Sequence, residues 1–170
     1  MTILDLEADE YNPYYQKYID KSKNLNLNDF SLNFDHVLSF LQDIPKEKHE
    51  YRYEKDKWTV KEVVLHMIDA ERIFAYRALR IARKDQTLLP GFDQDAYVAT
   101  SQANNRTFVS LLKEYISVKT ATITLFDHFD DEMQRARGTA SNSTISVRAL
   151  GFIIMGHENH HVEILNECYL

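Results

Sequence analysis

Near the C-terminus, Val147, Leu150, Ile153, Ile154, His157, His161, Ile164 and Leu165 recur at helical spacing, so one face of a helix is apolar except for two histidines. A helix with such a face must bury it against other elements. Burying it places two imidazoles one turn apart on the same inward side. Three further stretches show the same period, so the chain is expected to pack several long helices around one core.

Asn28 can cap the first of them, with Phe30, Phe34, Val37, Leu38, Leu41 and Ile44 following and Pro45 marking its end. Thr59-Val60-Lys61-Glu62 is a capping box, in which threonine and glutamate side chains satisfy each other's free backbone donors. It opens a second helix to about Arg83, with Val63, Val64, Met67, Ile68, Phe74, Leu79 and Ala82 inward. Leu89-Pro90-Gly91-Phe92-Asp93 is a turn. From Asp93 or Asp95 a third helical pattern is expected to run to about Phe129. Gly138 and Ser141-Asn142-Ser143 form a polar break, and the last helix starts at Thr144 or Ser146. Only 4 glycines and 3 prolines in 170 residues argue against a turn-dense β-sandwich or barrel. The expectation is an all-α protein, one domain over residues 1–170. Residues 1–27 form an N-terminal extension packed on it. There Tyr11, Tyr14, Tyr15 and Tyr18 share one helical side around Pro13. Packing onto the body is the preferred reading for them, ahead of rimming a pocket.

A formal charge of −6 with no basic run argues against a nucleic-acid partner. No apolar run approaches the roughly 20 residues of a membrane helix, and the first residues do not read as a signal peptide. The single cysteine, Cys168, excludes an internal disulfide and fits a reducing compartment. A cytoplasmic location is expected.

The histidines carry the chemistry. With 7 histidines in the chain, chance alone supplies roughly 0.3 pairs at this spacing, so the pair needs context. His66 supplies it, because it lies near the apolar face of the second helix. Three imidazoles at a bundle interior need polar partners or a shared metal ion. With an open coordination position, three histidines would make a reactive centre. From the residues alone, that site and separately hydrogen-bonded core histidines both stand. His160 suits a pocket-rim role, whereas His36, His49 and His128 read as solvated or locally bonded. His157-Glu158-Asn159-His160-His161 also satisfies the zinc-peptidase pattern H-E-x-x-H. The metzincin continuation is missing, and Glu158 points about 100° off the ligand stripe, which leaves it a weak catalytic candidate. Asp69 and Glu62 flank His66 and are candidates to orient it. Arg77 returns to the His66 stripe after eleven residues. It could meet an anionic cofactor tail, although a surface ion pair is the preferred reading.

The chain resembles the DinB/YfiT-like superfamily of metal-dependent enzymes from about Asp29 to Leu170. The resemblance rests on Lys57 to His66, Asp69-Ala70-Glu71-Arg72, Leu89 to Asp93, and Gly156 to His161. It implies a four-helix bundle with an up-down-down-up path and His66, His157 and His161 as metal ligands. The ion would be a divalent transition metal (nickel, zinc or iron-type). A small-molecule substrate is implied, and a homodimer is in keeping with many members. Relatives include thiol S-transferases that use bacillithiol or mycothiol, so the leading expectation is a low-molecular-weight thiol cofactor transferred to an electrophile. A metal-dependent hydrolase using water is the second. A non-catalytic metal-binding stress-response module and a metal-free interaction bundle are the others.

Overall fold

A computed structural model describes residues 2–170. The N-terminal segment forms a 3-10 turn over Pro13–Tyr15, running into a short helix α1 (Gln16–Lys21). The first long helix is α2 (Phe30–Gln42), followed by α3 (Val60–Ala82), the short α4 (Gln94–Thr100), α5 (Phe108–Asp127), the short α6 (Asp131–Arg135) and α7 (Val147–Ile164). A two-stranded antiparallel hairpin, β1 (Arg137–Ala140) and β2 (Ser143–Ser146), leads into α7.

The four long helices α2, α3, α5 and α7 make the bundle. α3 packs on α5 and α7, and α2 packs on the same two, so α2 and α3 stand at opposite corners. The long segments 43–59, 83–107 and 128–146 connect them. The core is divided along α3. Val60, Val63, Val64, Met67 and Ile68 join Val37, Leu41, Leu111 and Tyr115 in one apolar cluster. Ala70, Phe74, Ala78 and Ile81 join Leu150, Phe152, Ile153 and Ile154 in the other. His66 lies on α3 close to the boundary between the two.

The α3 capping box forms as its sequence dictates: Glu62 N donates to Thr59 Oγ1 at 3.1 Å and Thr59 N to Glu62 Oε2 at 2.7 Å. Ser146 caps α7 through Ala149 N at 3.0 Å. Three expectations need correction. Entry to α2 is set by a box between Asn26 and Asp29 around a 3-10 turn, not by an Asn28 cap. The expected third helix is two: Gln102 sits in the left-handed region with φ 54°, which ends α4, and Thr107 then caps α5 afresh. The polar break before α7 contains α6 and the hairpin, whose two-residue turn Ser141-Asn142 has φ 51° and 61°. Positive φ at both central residues is the turn geometry that matches strand twist. Gly138 permits the strand to approach α3, since a Cβ there would fall 2.6 Å from Ile81 Cγ1.

The N-terminal segment is stitched to the body. α1 lies along α7. Glu10 is buried, accepts from Ser146 Oγ at 2.6 Å and from Arg148 Nε at 2.7 Å, and its carbonyl accepts from Ser146 N at 3.0 Å.

Candidate metal centre

α3 delivers His66 and α7 delivers His157 and His161, all three buried. His157 Nε2 lies 3.1 Å from His66 Nε2 and 3.2 Å from His161 Nε2, and one ligand nitrogen from each residue falls within 4.8 Å of the others. Three nitrogens at 2.0–2.1 Å from one tetrahedral ion would stand about 3.3 Å apart, close to the two short separations found. Proton accounting favours an ion as well. A neutral imidazole has one N–H for two nitrogens, and His157 Nε2 faces two neighbours at once. An ion receiving three lone pairs satisfies all three together. Burial holds His66 down to about 4 and His157 and His161 well below the ordinary histidine value, with the neighbouring imidazoles adding to the effect for the latter two. The neutral form that can bind a metal is thereby the resting one. His161 Nδ1 is buried without a partner among the described residues, so there this imidazole lacks the acceptor that usually orients a ligand histidine.

Aromatic rings wall the centre. Trp58 lies 4.8 Å from His66, and Tyr18 and Phe74 lie 5.0 and 6.0 Å from His157, centroid to centroid. Tyr18 reaches this place because residue 156 is glycine: a Cβ there would fall 1.8 Å from the Tyr18 carbonyl oxygen. The backbone of α1 therefore crosses α7 one residue before His157, the first of its three histidines. A cavity of about 560 Å³ opens beside His66 and His157, lined also by Tyr14, Tyr15, Tyr18 and Arg77. The tyrosines rim a pocket as well as pack, which is more than the sequence reading gave them.

The other expected site residues fall elsewhere. Glu158 is buried and turned away from the three imidazoles, ion-paired with Lys119 at 2.9 Å. It accepts from Tyr115 Oη at 2.6 Å and from Asn33 Nδ2 at 3.0 Å. Glu71 pairs with the same lysine at 2.8 Å. Burial pushes Glu158 up and Lys119 is the main opposing influence; burial pulls Lys119 down, but Glu158 and Glu71 outweigh it and hold the lysine above its usual value. Asp69 faces Arg72 at 3.5 Å, and Glu62 is held by its cap and by Asn104 Nδ2 at 2.9 Å. Among the described residues no carboxylate hydrogen-bonds to His66, His157 or His161. His160 is half-buried with its ring 5.4 Å from Tyr18. His49 bonds Ile44 O at 3.1 Å and stacks on Phe108, His128 bonds Thr124 O at 2.8 Å, and His36 is exposed.

Arg77 corrects its expectation outright. It is 2% exposed, not at the surface, and among the described residues its hydrogen-bond partners are a carbonyl and a hydroxyl, with no carboxylate. Its Nη2 donates to Pro90 O at 2.8 Å and Ser141 Oγ at 3.0 Å. The Lys119 network escaped the sequence reading altogether. The available signal was a lysine on the inward stripe Tyr115, Lys119, Thr122, Phe126 of α5, all buried.

A family model described as the DinB superfamily matches residues 30–165. No curated protein gives a significant match. Among solved structures, the chain is similar to YfiT from Bacillus subtilis, described as a probable metal-dependent hydrolase with an unusual four-helix bundle topology. The TM-score is 0.68 at 14% identity, covering 96% of this chain and 90% of that one. At that identity the likeness speaks for the fold alone.

Proposed function

The chain belongs to the DinB superfamily, and from that premise we propose that it is a metal-dependent enzyme that joins a low-molecular-weight thiol to an electrophile. His66, His157 and His161 would hold a divalent transition metal, which when bound would keep the thiol sulfur as the nucleophilic thiolate at neutral pH. The observation that carries this reading is the convergence of three buried, neutral imidazoles to which, among the described residues, no carboxylate hydrogen-bonds. Hydrolysis of the peptidase kind asks for a carboxylate base next to the ion. Here Glu158, the residue in that sequence position, is engaged by Lys119, Tyr115 and Asn33 on the far side of α7. A thiol activated by metal needs no such base. The chain's own contribution is positioning: Trp58, Phe74 and Tyr18 pack against the imidazoles, the tyrosine-lined cavity reaches His66 and His157, and a smaller cavity of about 290 Å³ reaches His161.

The description of YfiT favours a second reading, a metal-dependent hydrolase with water in place of the thiol. One experiment separates the two. Protein loaded with nickel, zinc or ferrous iron is given a small thiol such as bacillithiol and the electrophile monochlorobimane, alongside a panel of activated esters. The proposal expects metal-dependent conjugate formation that disappears in His66→Ala. Ester cleavage lost in His66→Ala without any thiol transfer would establish the hydrolase. Turnover of neither would leave a non-catalytic metal-binding module.

A further inference from the structure

The cavity beside the histidines is lined by a buried cation, Arg77, one of whose nitrogens has no hydrogen-bond partner among the described residues. Arg77 is 2% exposed, its Nη1 has no hydrogen-bond partner, and among the described residues no carboxylate lies within ion-pair distance of it. An uncompensated buried charge costs several kcal/mol, and a guanidinium is a permanent cation. This one is nevertheless held firmly: Nη2 is fixed between Pro90 O and Ser141 Oγ, and Cζ lies 5.8 Å from the Phe74 ring.

The hairpin is built to hold that arrangement. Ser141 occupies the left-handed region at φ 51°, a conformation costly for a residue with a side chain. Its backbone N donates to Leu89 O at 3.0 Å, and Leu89 N donates to Thr139 O at 3.0 Å. The turn tip is thus pinned to the Leu89–Gly91 segment. Because Ser141 Oγ accepts from Arg77, its own hydroxyl proton is left to donate. Arg77, whose Nη1 is buried, and Ser141, bonded to it through Nη2, thus line the same cavity with one unused donor each.

We propose that Arg77 and Ser141 form an anion-binding subsite for the substrate or thiol cofactor, recognising a carboxylate or phosphate on a molecule whose reacting end lies at the three histidines. The span between the two ends rests on the proposed function; the anion subsite itself does not. Steps of 6.0 Å from His157 to Phe74 and 5.8 Å from Phe74 to Arg77 place the guanidinium within about 12 Å of the imidazole. Phe74 and Tyr15 pack edge to face, 6.2 Å between centroids, and both line the cavity, so the middle of the ligand meets an aromatic wall and is apolar or aromatic. The class is a small organic anion with its charge at one end and its reactive atom at the other.

The test uses the full chain without metal and follows 4-phenylbutyrate, 3-phenylpropyl phosphate and the neutral 4-phenylbutyramide by isothermal titration and by chemical-shift changes in the amide spectrum. Wild-type protein is expected to bind at least one of the two anions at least tenfold more tightly than the amide, with shifts at Ser141 and Asn142. Whichever anion binds more tightly identifies the source as carboxylate or phosphate. Arg77→Met is expected to lose at least tenfold in affinity for that anion and Ser141→Ala a smaller factor. Equal affinity for both anions and the amide would overturn the proposal, as would unchanged anion binding in Arg77→Met. The wild-type comparison stands even if Arg77→Met fails to fold. Anion binding without any metal uptake would refute the metal reading and leave this subsite intact, whereas metal uptake without anion preference would do the reverse.

Discussion

His157 and Glu158 are consecutive, yet their side chains leave α7 toward different interiors: the imidazole meets His66 at 3.1 Å, and the carboxylate meets Lys119 at 2.9 Å. One turn of helix therefore serves a metal-type cluster on one side and a buried ion network on the other. The network ties α2, α3, α5 and α7 together through Asn33, Glu71, Lys119, Tyr115 and Glu158, and it fixes the rotation of α7 that aims both histidines at α3.

Removing the cation from that network strands two buried carboxylates. Lys119→Met is expected to cost about 3–5 kcal/mol in urea unfolding, and combining it with Glu71→Gln and Glu158→Gln to recover much of the loss. A single-variant cost below about 1 kcal/mol would show that the network does not hold the bundle.

Gly156→Ala is expected to drive α1 off α7, because the new methyl would meet backbone at 1.8 Å, not a movable side chain. The loss should reach or exceed the about 1–3 kcal/mol of an overpacked core. Hydrogen exchange should rise across residues 13–21 while the amides of α3 stay protected. Unchanged protection of Tyr18 would contradict the close crossing.

These two features mark what the sequence could and could not disclose. The all-α class, the α3 capping box and the last helix follow from periodicity and capping chemistry, which act within a few residues; periodicity puts His157 and His161 on one face, whereas grouping them with His66 as a ligand set rests on the family resemblance. The partners of Glu158, the buried state of Arg77 and the crossing of α1 at Gly156 depend on which helices become neighbours. Nothing local encodes that Lys119 faces Glu71, or that Ser141 meets Arg77 from a hairpin 64 residues away. The break between α4 and α5 falls in the polar run Ser101 to Thr107, where Gln102 takes the left-handed conformation with no glycine or proline to announce a stop.

Acid should loosen the N-terminal segment. Burial pushes the Glu10 carboxyl up, but hydrogen bonds from Arg148, Ser146 and the Glu7 backbone outweigh it and hold it at about 2, against 4.5 in an unfolded chain. The depressed value means its contribution is complete above pH 4.5 and is lost as pH falls toward 2. The contribution is up to about 3 kcal/mol. Glu10→Gln should lower stability at neutral pH and flatten the pH dependence between those limits. An unaltered slope would assign the acid sensitivity to other groups.

The most direct test of the central claim is the metal content of untagged protein, after reconstitution with nickel, zinc, iron and manganese in turn. The account predicts about one ion per chain for at least one of them. It also predicts loss of that ion in each of His66→Ala, His157→Ala and His161→Ala while the helical circular dichroism is retained. Wild-type protein that takes up none of the four metals, or binding that survives His157→Ala, would contradict it.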